Sequence, residues 1–465
     1  MESKFLPQKG IILTVATIII AVLGARSGLN FSQDVALVAF SLSILGTLLF
    51  WQFRLSFAFL GASLVLLTHV TNLENFIRYS SMEIILFLIG MMIIVGFLKE
   101  IGVFSWLLQR ALVMKEISAK KFMVSLVFSS ALLACVIDEV SSILIVIMII
   151  FEFCDYFEIN PVPYVLAAVL ATNIGSAGTV IGNPIGLMIA AKAGLTFEDF
   201  IKYSFPLMFF SLFILTGLLI VMFREHLKEL DEKIKEFGPN EFLVRLLSVP
   251  PEKNVRIGFV IFGFTLGLIA LHHRIELWLG LETNTMLLIA PMLSSAVIMV
   301  WRRHKARDYI EKDVEWWTLL FFMFLFAQAG VLAEQGVTEI LAQKILVMVS
   351  HSRNLLITTI LFGGALVSSA LDNVVVVVGF IPILQSLEKM LHANGALWWA
   401  LLFAACFGGN ITVIGSTANF IALGTLERHK KVSISFWYWL KIGIVVGFFT
   451  LIFVWAALLL LPHYR

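Results

Sequence analysis

Charge is what this 465-residue sequence most lacks: 14% of its residues are Asp, Glu, Lys or Arg, while 60% are apolar. A soluble domain is about a quarter charged and about half apolar. No stretch is long and polar enough to form a separate soluble domain. Cysteine is scarce as well, and Cys135, Cys154 and Cys406 fit no paired or metal-ligand spacing. That excludes a disulfide framework and a zinc site, and leaves three small core residues in apolar runs. There is no zincin His pair and no nucleophile elbow. No Gly-Lys-Ser/Thr follows the glycine-rich run Gly175-Ser176-Ala177-Gly178. Hydrolase and nucleotide chemistry therefore have no carrier here, and neither an enzyme nor a cofactor is expected. A formal net charge of +2 gives no reason to expect nucleic acid as a partner.

What fills the sequence is apolar runs, and spanning a bilayer takes about 20 such residues. Spans are expected near 11–27, 34–52, 55–71, 82–100, 204–224, 257–271, 284–301, 314–333 and 436–461. Two longer runs, at about 161–191 and 396–425, read as helices broken near their middle. Two more, at 122–156 and 354–387, carry polar tips and read as re-entrant hairpins. The expected fold is an all-α polytopic membrane protein with eleven transmembrane helices and two hairpins. Residues 1–33 hold a first helix, retained rather than cleaved because the polytopic pattern continues directly after it. Residues 34–224 form one repeat, 225–256 a charged cytoplasmic connector, and 257–461 a second repeat.

The basic residues orient this layout. Of 33 Lys and Arg residues, 22 fall in segments expected inside and 9 in segments expected outside. That bias puts the N-terminus in the cytoplasm and the C-terminus outside, as in the inner (plasma) membrane of a prokaryote. Trp301, Trp316, Trp317, Trp437 and Trp439 border inner loops, as an interfacial belt does. Residues 272–283, with His272 and His273, fall outside and read as a solvated loop.

An internal repeat appears at an offset of 234. Gly96-Phe97-Leu98-Lys99-Glu100-Ile101-Gly102-Val103 aligns with Gly330-Val331-Leu332-Ala333-Glu334-Gln335-Gly336-Val337, with five of eight identical. The same offset pairs Asp138 with Asp372. Five spans separate the copies, and an odd number inverts the second, the architecture of many secondary transporters.

The chemistry should sit where the helices break. One broken stretch runs from Asn173 to Pro184 and offers Asn173, Gly175, Thr179, Gly182 and Asn183. The other runs from Gly408 to Asn419 and offers Gly409, Asn410, Thr412, Gly415, Ser416 and Asn419. Unwound backbone at membrane depth is tolerated only inside protein or along a water-filled cavity. Its freed carbonyls can hold a cation, and its half-helix N-termini can hold an anion or polar solute. Close helix packing is the competing account of the glycines. The hairpin tips add Asp138, Glu139, Ser141 and Ser142, and Ser369, Asp372 and Asn373. A carboxylate in a bilayer is costly and usually faces a cavity, although Asp and Asn also cap helices. No Lys or Arg lies between Phe122 and Leu144 or between Asn354 and Leu387. These acids are expected to carry a proton or a sodium ion, with a sodium site at Asp138, Asn173, Asp372 and Asn410.

Three stretches carry a resemblance: Gly408 to Asn419, the Ser-Ala-Leu-Asp-Asn run at 369–373, and Glu83 to Val95. Through them, from about 34 to 460, the chain resembles the ion transporter superfamily. That group holds arsenite permeases, NhaD-type sodium/proton antiporters, the melanocyte P protein and dicarboxylate transporters, and the arsenite permease and P protein branch is the nearest. In the family's first unwound loop Gly-Asp-Pro-x-Asn is common; here Asn183 stands for the Asp and Gly186 for the Asn. The first tip carries Asp138-Glu139 where Asp-Asn is common, and the Ser-Asn-Thr tips of the dicarboxylate branch are missing. The resemblance implies a scaffold, a mobile transport region, an elevator-type mechanism and a homodimer in lipid. The helices near 55–100 and 284–333 are expected to be the static part. The expected function is secondary active transport of an inorganic ion or small polar solute, an arsenite-like oxyacid or sodium. Coupling is to H+ or Na+, by antiport ahead of symport. A sodium-coupled anion or dicarboxylate symporter is the alternative, and an ion channel is the alternative of another class.

Overall fold

The computed structural model describes residues 6–104, 106–107, 118–237, 252–282, 284–350, 352–391 and 395–461. Lys4, Arg110, Lys115, Arg245 and Arg465, which entered the charge count, and the connector residues 238–251 lie outside them. Every regular element among the described residues is helical. Among the described residues ten helices are long and apolar enough to cross a membrane. Five more are apolar but shorter: Trp51–Leu67, Val162–Gly175, Pro184–Ala193, Thr285–Trp301 and Ala396–Gly408. Three of these are halves of the broken helices, so the break is real in the backbone. Hairpin one is Ala119–Val136 followed by Glu139–Tyr156, and hairpin two is Arg353–Ala370 followed by Asn373–Leu391. Three of the four arms are long and apolar enough to cross alone, so a re-entrant course stays a proposal.

The chain divides into two compact units. The first is Met1–Ile89, Val314–Leu356 and Val374–Asn394. Its buried polar hub is Gln328, whose Nε2 donates to the Ala58 carbonyl at 3.0 Å and whose Oε1 accepts from Ser43 Oγ at 2.8 Å. Apolar surroundings make such pairing obligatory, because an unpaired amide there finds no water. Arg54 is buried, lies 4.3 Å over the Trp51 ring and donates to Thr318 Oγ1 at 2.8 Å. Glu334, at the end of Trp316–Glu334, accepts from Thr71 at 2.9 Å and Asn75 at 2.6 Å.

The second unit is Gly90–Asp313, Ile357–Asn373 and Gly395–Arg465. Both broken helices, both hairpin tips and the whole of hairpin one lie in it. The arms of hairpin one are joined by a Phe122–Phe153 stack at 3.8 Å. Glu100 accepts from Arg302 at 2.5 Å, from Lys305 at 2.9 Å and from the Tyr309 hydroxyl. Lys430, ending the second broken helix, pairs with Asp155 near the end of hairpin one.

Four expectations change. The connector begins as an amphipathic helix, Arg224–Phe237, which buries Leu227, Leu230 and Ile234. Its Asp231 accepts from the Ala119 amide at 2.7 Å, capping the first arm of hairpin one. The segment 272–283 holds the helix His272–Leu279, not a solvated loop. His273 is exposed, but His272 is buried and its Nδ1 donates to the Ile269 carbonyl at 2.8 Å. The helix Val337–Met348 had no place in the expected layout. Finally, 284–333 does not stay together: Trp316–Glu334 belongs to the first unit and Thr285–Trp301 to the second.

Candidate functional site

The two broken helices share a set of bonds at an offset of 233. The Thr179 hydroxyl donates to the Cys135 carbonyl of hairpin one, and the Thr412 hydroxyl donates to the Ser369 carbonyl of hairpin two. Each threonine oxygen then accepts an amide two residues on, from Ile181 at 3.2 Å and Ile414 at 3.1 Å. Asn183 Nδ2 donates to Cys406 Sγ at 3.1 Å, and Ser416 Oγ donates to Asn173 Oδ1 at 3.0 Å. Positions 173 and 406 are equivalent, as are 183 and 416. Reciprocal contacts of this kind mark a local two-fold.

Packing explains two glycines. A Cβ on Gly175 would lie 2.2 Å from the Ala131 carbonyl oxygen, and one on Gly408 would lie 2.6 Å from that of Ala365. At these positions the close-packing account holds: each hairpin's first arm touches the backbone of a broken helix. Gly182, Gly409 and Gly415 are buried within the unwound loops. Asn183 and Ser416 each cap the helix that restarts the chain, accepting from Gly186 N at 2.8 Å and Ala418 N at 3.2 Å.

The asparagines form a closed hub. Asn173, Asn410 and Asn419 have no exposure. Asn173 Nδ2 donates to Asn410 Oδ1 at 2.8 Å and Asn419 Oδ1 at 2.9 Å. Asn410 Nδ2 donates to the Leu170 carbonyl at 3.2 Å, and Asn419 Nδ2 to those of Gly409 and Thr412 at 2.8 and 3.0 Å. These amides spend their donors on the protein, so they fix the loops first. An ion at Asn173 or Asn410 would have the second lone pair of an oxygen that already accepts. Two carbonyls freed by unwinding are also taken. Ser204 donates to Ala177 O at 2.6 Å, and Trp439 Nε1 to Asn410 O at 3.1 Å. Trp439, expected in an interfacial belt, is 1% exposed and braces this loop.

The carboxylates meet a different set of donors. Asp138 sits in extended backbone and accepts from the Ser141 amide at 2.7 Å, so it caps the second arm of hairpin one. Asp372 Oδ2 accepts from Thr417 Oγ1 at 2.7 Å. Glu139 is met by Asn373 Nδ2 at 3.4 Å from each carboxylate oxygen. Glu139, Asp372 and Asn373 are buried, and Glu139 and Asp372 feel each other's charge. The hydroxyls of Ser142 and Ser369 turn back to carbonyls of their own helices, those of Glu139 and Leu366.

Three participants were missed in the sequence. Thr417 lies inside the quoted motif and was readable. Cys406 is a buried core residue whose sulfur also accepts from Asn183. Lys99, assigned to a span, lies in electrostatic range of Asp138, so the site is not without positive charge as the local sequence implied. Among the described residues no group of three or more His, Cys, Asp or Glu side chains is placed to hold a metal ion. A sodium ion here would need a mixed set of carboxylate, hydroxyl, amide and carbonyl oxygens.

Comparison with known proteins follows the same lines. A family model described as citrate transporter matches residues 53–345 and 323–463. The uncharacterized transporter Rv2685 of Mycobacterium tuberculosis is 31% identical over 78% of this chain and 82% of its own. The P protein of Homo sapiens is 25% identical over 79% of this chain and 52% of its own. The crystal structure of the YdaH transporter of Alcanivorax borkumensis, described as having an unusual topology, covers 83% of this chain and 85% of that one. Its TM-score is 0.52 at 15% identity, a likeness of fold alone.

Proposed function

This chain belongs to the citrate transporter family, and from that premise we propose that it is a secondary active transporter. It moves a small inorganic ion or polar solute, coupled to protons or sodium. It is an integral membrane protein and a transporter rather than an enzyme. One observation supports the reading: two buried acids on the hairpin tips meet each other's surroundings, Glu139 facing Asn373 and Asp372 accepting from Thr417 where the second broken helix restarts. A carboxylate out of water needs a proton, a cation or strong donors. Asp138 and Asp372 are therefore the groups that carry or ligate the coupling ion. Sodium and a neutral oxyacid such as arsenite face no electrostatic barrier at such a site, whereas a bare anion is repelled. The paired hairpins and the local two-fold support alternating access of the elevator type, by antiport. A homodimer in a prokaryotic inner membrane, with its N-terminus inside, completes the proposal.

A second reading has its own support. The family description names citrate, and Lys99 lies within electrostatic range of Asp138. A carboxylate solute entering with a cation satisfies both.

Purified protein in liposomes decides between them, with sodium, arsenite and citrate supplied separately across pH and sodium gradients. Saturable flux that follows a gradient supports a transporter, and unitary currents would replace it with a channel. Asp372→Asn keeps the shape of the acid and should abolish gradient-driven flux while the protein still elutes as a single folded species. Full coupled flux in this variant and in Asp138→Asn would reduce both acids to helix caps.

A further inference from the structure

Residues 139 and 373 are equivalent positions of the repeat, 234 apart, and they touch each other. A contact between equivalent positions lies on the two-fold itself. One side of the axis carries a carboxylate and the other a carboxamide. The two flanking acids, Asp138 and Asp372, keep the same offset. Asn373 Nδ2 stands 3.4 Å from both Glu139 oxygens, sharing one donor group evenly between them. The groups that act on Glu139 include Asp138 on its own tip, Asp372 on the facing tip, and Ser176 and Cys406 from the two broken helices.

We infer that Glu139 and Asn373 act as one unit, a carboxylate–carboxamide pair on the local two-fold that sets the hairpin tips against each other, and that either tip can carry the acid. Asn373 is a positioning residue: it fixes the Glu139 carboxylate, and the pair fixes the spacing at which Asp138 and Asp372 meet the coupling ion. The inference rests on the transport reading for its consequence, and on geometry alone for the pairing. Two acids facing each other here would repel in a low dielectric. Two amides of asparagine length would leave a gap where the longer side chain had been. One acid and one amide keep both the charge and the summed length, whichever side each occupies.

The test is an exchange. Glu139→Asn, Asn373→Glu and the double exchange E139N/N373E are compared with the native chain, full length, in detergent and in liposomes. Each single change should lower the melting temperature by about 2–4 °C or more, with Asn373→Glu the worse because it sets two carboxylates face to face. The double exchange should recover most of that loss. In liposomes the singles should lower initial flux of whichever of sodium, arsenite or citrate the native chain moves by about tenfold, and the double exchange should restore it to within about threefold. Double exchange no more stable than the worse single overturns the inference. So does recovered stability without recovered flux in a system where the native chain transports. If the native chain moves none of the three probes, the transport reading fails, and the melting temperatures still decide the pairing.

Discussion

Glu100 takes hydrogen bonds from Lys305 and Tyr309, and Glu334, 234 residues later, takes its own from Thr71 and Asn75, the positions 234 residues before that lysine and tyrosine. The repeat has kept the acid and the geometry and changed the partners. Arg302 adds a second cation to Glu100. One copy is thus bonded ionically and the other by neutral donors.

That difference is measurable. Glu100→Gln keeps the shape and removes the charge-assisted bonds, at an expected cost of about 1–3 kcal/mol. Glu334→Gln should cost about 1 kcal/mol or less. Melting temperatures across a salt series check both, since screening should shrink the loss at Glu100 more than that at Glu334, which feels the exposed Arg78. Equal salt dependence would show that the cations at Glu100 contribute nothing.

The glycines that admit neighbouring backbone should not tolerate a methyl group. Gly175→Ala and Gly408→Ala drive a Cβ against the Ala131 and Ala365 backbones and should cost about 3 kcal/mol or more. Gly217 has nothing within 4 Å of its added Cβ, and Gly217→Ala should be neutral or stabilising by up to about 1 kcal/mol. Thermal melts of the three purified variants decide it.

Two polar residues of the site should separate stability from transport. Asn173→Ala strips partners from Asn410, Asn419 and Ser416 together and should cost about 2–4 kcal/mol. Thr417→Val removes one hydroxyl from Asp372 and should shift stability by about 1 kcal/mol or less while slowing gradient-driven flux about tenfold. Melting temperature and flux on the same preparations test the split.

Tyr309 gives a pH dependence with a definite sign. Burial, helped by its hydrogen bond to Glu100, pushes the phenol from 10.0 up to about 12. The folded chain holds this proton more tightly than the unfolded one. Its contribution is therefore full below about pH 10 and lost as pH rises through about 12. Tyr309→Phe cannot ionise, so its melting curve should lack that share of the alkaline decline. An identical decline in both proteins would assign it elsewhere.

How far the sequence could be read depended on distance along the chain. Hydropathy located every long helix, and glycine, asparagine and proline located both breaks, because these are local properties. The hairpin acids stood out because a carboxylate amid valines and leucines has few reasons to be there. Partners were another matter. Nothing near Asn173 announces that its amide is spent on Asn410 and Asn419, and nothing near Trp439 announces that its indole reaches the Asn410 carbonyl. Lys99 hid in the same way: it stands 39 positions before Asp138, and only the fold brings the charge into range. The helix at Arg224–Phe237 was hidden by its charge, although Leu227, Leu230 and Ile234 already had helical spacing.

The closed asparagine hub also has a schedule. Asn173 bonds to residues 237 and 246 positions further on. At about 5–20 residues per second of synthesis, its partners emerge roughly ten to fifty seconds after it does. For that interval the Asn173 side-chain amide lacks the two oxygens it meets in the finished fold, although the segment's bonds to Cys135 and Ser204 are already available. The hub is therefore completed only once the second half of the chain has been made.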